Sequence, residues 1–329
     1  MTVPVIDMVA RGNSALRITV MTSERCVPFF AWMPDNVTVK GYNLKSYPGV
    51  GGLNRLYKDI SQEQFDAVLD LHDVLRTKYL RLRFSMAGVK TYVIDKGRRS
   101  KKRLLGHGLD GKHLTPTANR YKKVFVDAGI TSFCSKFKPV PEKQEQAGFI
   151  KEKGILKGDG ERWVGIAPFA AHDGKVYPLD KMLCVAKCLS ADGVKVFLFG
   201  AGKNETDILT QWTGGNIIMA SRYATSLREE IVLISLLDCM VSMDSANMHI
   251  ASLAGTPVVS LWGATHPKAG FMGWGQDEAN AVSLPLECRP CSVYGNKPCK
   301  FNDYRCLHGI TPEQVTKKVE DILKGKNND

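Results

Sequence analysis

Residues 240–267, MVSMDSANMHIASLAGTPVVSLWGATHP, hold the densest set of groups suited to an anion. An apolar run ends at Asp244, and Ser245 follows in a helix N-cap position. Gly255-Thr256-Pro257 then stops the helix before a second apolar run. In this reading the N–H groups of Ala246, Asn247 and Met248 are free at a helix start, where the helix dipole favours a phosphate. Ser245 and Ala246 are small enough to let a ligand reach the backbone, and His249, one turn on, adds a donor. The same spacing also fits a plain capped helix, with Asp244 and Ser245 serving only the cap. Two further loops carry related chemistry. Residues 167–178 (APFAAHDGKVYP) bring Ala170, Ala171 and then Lys175, either a cation for a diphosphate or a solvated loop lysine. Residues 199–207 (FGAGKNETD) form a Gly-rich turn, and Glu205 suits a ribose diol because a carboxylate accepts from both hydroxyls. Gly-rich turns follow many strands, so this signal is weak alone. Thr225 is placed in the same donor-side set.

The elements that must position these residues alternate. Residues 16–21, 65–71 and 91–94 read as strands, with helices over 53–61 and 76–84. Further on, strands are expected at 163–167, 194–199, 239–243 and 258–261, and helices at 179–190, 226–236 and 247–254. Such alternation argues for α/β architecture with parallel sheets built from βαβ units. Residues 138–153 (KPVPEKQEQAGFIKEK) are polar, carry two prolines and read as a linker, dividing the chain into domains 1–150 and 151–329. Thr311-Pro312-Glu313-Gln314 places Thr at an N-cap, Pro at N1 and Gln at N3, opening a last helix to about 323.

Of the 329 residues, 44% are hydrophobic and 24% charged, which excludes disorder, collagen and a small disulfide scaffold. No apolar run reaches the ~18 residues of a membrane span, and the N-terminus does not read as a signal peptide, so a cytoplasmic protein is expected. Residues 1–153 carry 27 Lys+Arg and 14 Asp+Glu, net +13, whereas residues 154–329 carry 18 and 19, net −1. The excess calls for an acidic partner: nucleic acid, an anionic membrane or an acidic small molecule. Six of the eight residues 96–103 (KGRRSKKR) are cationic, which by itself describes a solvated loop. No nucleic-acid motif or interleaved aromatics accompany it, so nucleic acid is disfavoured as a partner. Five of the nine cysteines read as buried reduced thiols. The other four, Cys288, Cys291, Cys299 and Cys306, form C-x2-C-x7-C-x6-C, which fits a structural zinc or thiols packed in a loop. No other cofactor is expected.

The run DSANMHIASLAGTPVVSLWGATHP resembles the nucleotide-sugar motif of glycosyltransferase family 9, the heptosyltransferases of lipopolysaccharide core assembly. Ala246 stands where the motif has Gly. Lys175 in GKVYP matches the family lysine and Glu205 sits near its ribose-binding Glu; Ala170 and Ala171 replace the hydroxyl residues that some members carry. FDAVLDLHDVLRTKYL and GVKTYVIDKGRRSK extend the resemblance over nearly the whole chain. It implies a GT-B fold, two Rossmann-like domains facing across a cleft. It also implies inverting, metal-independent transfer from ADP-heptose to an anionic lipopolysaccharide acceptor, with peripheral inner-membrane association. Lys175 and the amides after Asp244 would meet the diphosphate, and Asp244 would lie near the donor sugar. His72, Arg76, Lys96, Arg98 and Arg99 would form the acceptor side. The family's first strand and S-A-x-G-D loop, whose Asp is the expected base, have no counterpart here; Met1–Ala10 resembles the helix that follows them. The alternative expectation is therefore a nucleotide-sugar-binding protein that transfers poorly.

Overall fold

The computed structural model describes residues 1–107 and 113–325. The chain forms two compact units, residues 1–98 with 115–138 and residues 99–114 with 139–329. The division falls at 138/139 instead of near 150, and the first unit gives up residues 99–114 to the second.

The first unit opens with helix α1 (Thr2–Gly12), followed by strands β1 (Ile18–Ser23) and β2 (Val37–Tyr42). Helix α2 (Gly49–Ser61), β3 (Ala67–Asp70), α3 (Leu75–Met86) and β4 (Lys90–Val93) follow. β1 pairs with β2 and β3 with β4, both parallel, as two separate two-stranded sheets among the described residues. Asn36 fixes the first pair to α1, its side-chain N–H groups donating to the carbonyls of Ala10, Asn13 and Leu16. The core between α2, α3 and β3 is small, centred on Leu56, Ile60 and Phe84 with Tyr57, Phe65 and Leu80 against it. Helix α4 (Arg98–His107) begins at the boundary, and α5 (Thr117–Asp127) packs on α1. The basic run 96–103 is thus mostly helix, not a solvated loop. Lys101 is buried, with Nζ 4.4 Å from the Phe271 ring centroid, because a long aliphatic stem tolerates burial when its ammonium meets a ring face.

In the second unit, residues 143–153 of the expected linker form α6 (Lys143–Lys153), with Phe149 buried. Val140 donates its N–H to the Leu253 carbonyl at 2.9 Å. The polar composition concealed a helix that buries one ring. Then come β5 (Trp163–Ala167), α7 (Leu179–Ala191), β6 (Lys195–Leu198), α8 (Gly202–Thr210), β7 (Ile217–Met219) and α9 (Leu227–Ser235). They are followed by β8 (Cys239–Met243), α10 (Ala246–Ala254), β9 (Val258–Leu261), β10 (Ala281–Val282), α11 (Arg305–His308) and α12 (Pro312–Gly325). The strands form one parallel sheet in the order β10-β9-β8-β5-β6-β7. The chain steps outward from β5 to β7, then returns to the other side of β5 for β8 to β10. The strand order therefore reverses between β5 and β8. Every residue of these two strands is buried, as a sheet covered on both faces requires. α7 and α12 bury Val185, Leu189, Val315 and Val319 against one face, while α10 packs on α9 and β8.

Candidate functional site

In open parallel sheets, ligands bind beyond the carboxyl ends of strands where the strand order reverses. The loops after β5 and β8 flank that point. The β5 loop is pinned at several places. The Tyr177 hydroxyl donates to the Ile310 carbonyl at 3.1 Å, and the Ala264 N–H donates to the Gly174 carbonyl at 2.8 Å. A Cβ on Gly174 would lie 2.8 Å from the Gly295 carbonyl oxygen, so only glycine permits this approach. The Lys175 stem runs along Gly295, at φ +74°, where a Cβ would stand 2.6 Å from Lys175 Cγ. So guided, Lys175 Nζ reaches Asp244 Oδ2 at 2.8 Å; the side chains are 16% and 5% exposed.

Asp244 ends β8 and leads into α10. Ser245 is the N-cap residue, but its side chain accepts from no helix amide. Its hydroxyl lies 3.2 Å from that of Ser242, so the expected side-chain cap is absent. The helix start presents its first-turn amides at Ala246, Asn247 and Met248 without one. Gly255 closes the helix in the left-handed conformation, φ +74°, as expected of a C-cap glycine. His249 is half-buried on the first turn; burial, with Lys175 nearby, pushes its imidazole down to about 3, so it is neutral near pH 7. Its Nδ1 is buried with no hydrogen-bond partner among the described residues.

The structure thus brings together Lys175, Asp244, Ser245, Ala246, Asn247 and His249. Ala170 and Ala171 stand on the same β5 loop, the first packed on the sheet core and the second exposed. Glu205 lies after β6, next to β5 in the sheet. Its Oε2 accepts from the Ala201 N–H at 2.8 Å, so part of its capacity closes the Gly-rich turn. Thr225 belongs to a cap instead of an open site. Its N–H and hydroxyl donate to Glu229 Oε2 at 2.7 and 2.8 Å, inside the Ser226–Glu229 capping box of α9.

In the first unit, two of the predicted cations, Lys96 and Arg98, meet an aspartate that sequence reading missed, together with Lys78 and Arg81, which it had not singled out. Asp70 ends β3 buried, accepting from the N–H groups of His72 and Asp73 and pairing with Arg81 at 2.9 Å. Asp73 pairs with Arg98 at 3.1 Å, with Arg81 at 3.7 Å and with Lys78 at 3.9 Å, and its carbonyl accepts from Lys96 at 3.0 Å. His72 is exposed beside them, Arg76 sits in the first turn of α3, and Arg99 falls in the second unit. The D-x-x-D spacing at a strand end was the available signal.

The four clustered cysteines line one small pocket with Arg289, Lys300 and Arg305. Arg289 is buried and donates to the carbonyls of Trp262, Gly263, Thr265 and Leu284. Burial pushes the Cys291 and Cys306 thiols up. Burial opposes ionisation of Cys299 too, but the amides of Phe301, Tyr304 and Asp303 outweigh it and hold that thiol below its ordinary value. Among the described residues no group of three His, Cys, Asp or Glu is arranged to hold a metal ion.

A parallel sheet with a helix start at its switch point that no side chain caps defines an open α/β architecture suited to an anionic ligand. The profile of glycosyltransferase family 9 (heptosyltransferase) matches residues 53–302, and the chain belongs to that family. It is 25% identical over 179 residues to lipooligosaccharide heptosyltransferase 2 of Campylobacter jejuni, covering 53% of this chain and 54% of that protein. The chain thus spans about half the length of that relative. It is also 25% identical to lipooligosaccharide heptosyltransferase 2 of Haemophilus influenzae, over 93% of this chain and 90% of that one. Its fold matches the Escherichia coli ADP-heptose lipopolysaccharide heptosyltransferase II structure, with TM-score 0.69 and 18% identity, over 99% of this chain and 96% of that one. The α/β fold with parallel sheets is therefore that of the GT-B heptosyltransferases.

Proposed function

We propose that the chain transfers heptose from an ADP-linked donor to an anionic lipopolysaccharide core acceptor, inverting the anomeric centre without a metal. The observation that carries this reading is the Lys175–Asp244 pair beside the uncapped start of α10. An arriving diphosphate draws Lys175 from Asp244 and takes the amides of Ala246 to Met248. An acceptor hydroxyl attacks the anomeric carbon and gives its proton to a general base. The bond from that carbon to the diphosphate oxygen breaks, and its electron pair stays on the diphosphate. Lys175 and the helix amides stabilise the charge that develops there. Asp244, released from Lys175, turns to the donor sugar hydroxyls. The cations around Asp73 receive the phosphorylated, carboxylate-bearing acceptor, which resides at a membrane surface. No described helix is long and apolar enough to cross a membrane.

A thermal-shift panel of ADP-, UDP- and GDP-sugars tests the donor. ADP-heptose is expected to raise the melting temperature most, and Lys175→Met to abolish the shift. A shift with another base and none with ADP-sugars overturns the donor assignment. Chelator is expected to leave transfer unchanged; loss of transfer restored by added metal overturns the metal-independent reading.

A further inference from the structure

Four thiols share one small pocket, and none of them has a part in the transfer chemistry proposed above. Cys288, Cys291, Cys299 and Cys306 line it together with Arg305. All four are free, and only Cys306 is buried, so a small oxidant reaches the other three. Cys299 sits differently from its neighbours. It opens a tight turn in which Asn302 and Tyr304 take left-handed backbone, at φ +56° and +42°. Burial opposes its ionisation, but the amides of Phe301, Tyr304 and Asp303 turn to its sulfur and outweigh this. Arg305 lies within electrostatic reach of the same sulfur. Amides and a guanidinium favour the thiolate, which is the form that reacts. Burial raises the Cys291 thiol first, and the charges of Cys288 and Cys299 add to this, so the three lie within electrostatic reach of one another.

Cys291 is also connected to the donor lysine. The Ala264 carbonyl accepts from the N–H groups of Cys291 and Ser292, each at 3.1 Å, and the Ala264 N–H donates to the Gly174 carbonyl at 2.8 Å. Gly174 directly precedes Lys175. Gly295, which backs the Lys175 stem, lies midway between Cys291 and Cys299. The Ser292 hydroxyl donates to Asn296 Oδ1 at 3.2 Å and folds the same loop back. A bond between the two sulfurs closes a ring around Gly295 and pulls Cys291 against its hold on Ala264. We propose that peroxide oxidises Cys299 and that Cys291 resolves it to a disulfide, which shifts the seat of Lys175 and weakens donor binding. The Cys299 thiolate attacks one peroxide oxygen. The S–O bond forms, the O–O bond breaks, and the leaving hydroxide takes up a proton as water. The Cys291 sulfur then attacks the sulfenic sulfur. The S–S bond forms, the S–O bond breaks, and the hydroxide leaves with the Cys291 proton as a second water. Two thiols are oxidised and one peroxide is reduced.

The thiol site stands on the pocket, whereas its consequence rests on the donor reading of Lys175, so the two are measured separately. The reduced full chain is treated with hydrogen peroxide and mapped by mass spectrometry. A Cys291–Cys299 crosslink is expected, reversed by dithiothreitol. Cys291→Ser is expected to give no such crosslink and to leave a sulfenic acid on Cys299 that dimedone captures. By calorimetry, peroxide is expected to weaken ADP-heptose binding to the parent several-fold, dithiothreitol to restore it, and Cys299→Ser to be indifferent to both. Absence of the crosslink, or its formation between other thiols of the pocket, overturns the site. So does a metal ion bound stoichiometrically by the purified chain and released when the four thiols are modified, which would make them its ligands. A Cys291–Cys299 crosslink that leaves ADP-heptose affinity unchanged overturns the link to Lys175. A reduced parent with no affinity for ADP-heptose overturns the donor reading and the link that rests on it, while the crosslink still decides the site.

Discussion

Two strand ends in this molecule bring aspartate to cations, and they are balanced differently. Asp244 after β8 meets one cation, Lys175, and the pair is largely buried. Asp70 and Asp73, at the end of β3 and just after it, face Arg81, Arg98 and Lys78, with Lys96 on the Asp73 carbonyl. The first pairing is neutral, so an anion enters only by displacing the carboxylate. On the proposed reading a diphosphate does so, because it brings more charge than the aspartate it replaces. The second has two acids among four cations and keeps a surplus of positive charge. It attracts anions at longer range and is more sensitive to salt. Balanced charge gives selection by exchange, and surplus charge gives recruitment.

The largest expected effect breaks the balanced pair. Lys175→Met removes the cation proposed to meet the diphosphate and leaves Asp244 buried without it. Transfer is expected to fall by about 10²–10³ in kcat/KM. Stability is expected to fall by up to about 3 kcal/mol, at the low end for buried pairs because Lys175 keeps some exposure. Steady-state kinetics and thermal melting check both, and transfer within a few-fold of the parent would remove exchange as the operating principle. Breaking the surplus cluster should act differently. Arg81→Met leaves Asp70 with two backbone amides but no guanidinium, and is expected to cost about 2 kcal/mol. The ADP-heptose thermal shift should be unchanged, because the residues proposed to hold the donor lie in the other unit. A weakened donor shift would show that the two strand ends are not independent.

A smaller effect tests how Lys175 is aimed. Gly295→Ala puts a methyl group against the lysine stem at a positive φ. It is expected to cost about 1–2 kcal/mol of stability and to weaken donor binding several-fold by calorimetry. Unchanged affinity would mean that Lys175 finds Asp244 without this backing.

The buried half of the architecture was legible from the residues. β5, β8 and β9 begin and end where their apolar runs do, because a strand covered on both faces has no polar alternation to blur its limits. The last helix begins as its capping box required. Thr311 donates its N–H to Gln314 Oε1 at 2.9 Å, and Gln314 returns its own to Thr311 Oγ1 at 3.4 Å. What stayed hidden depends on distant partners. The Gly174–Gly295 approach joins positions far apart in the chain, and neither glycine has a local signature. Arg81 was one cation among many until the fold set it on Asp70. The helix α6 looked like a linker because ten of its eleven residues are not buried. Thr225 carried a hydroxyl in a plausible place, but Glu229, four residues on, claims it.

That last case supplies the smallest effect and the reference point for the other two. Glu229 pairs with Lys153 at 2.6 Å and accepts from both donors of Thr225. The hydrogen bond from Lys153, then those from the Thr225 N–H and hydroxyl, hold its carboxyl down to about 2. A folded-state value below the ordinary 4.5 means the stabilisation is fully present above about pH 4.5. It is lost as pH falls through about 2, where the folded protein also takes up the proton. Glu229→Gln is therefore expected to cost about 1 kcal/mol at pH 7, and the gap from the parent should narrow in melts at pH 3. Thr225→Val should lower the melting temperature in the same direction while leaving the ADP-heptose shift intact. Lys153 also meets Glu152 at 3.1 Å, so this group, like Lys175–Asp244, carries no surplus cation, yet it caps a helix whose start is already satisfied by side chains. On the proposed reading, balance alone does not make a ligand site; the helix amides beside Asp244, which no side chain caps, are what sets that pair apart. A donor shift that disappears in Thr225→Val would place Thr225 against the nucleotide and remove that distinction.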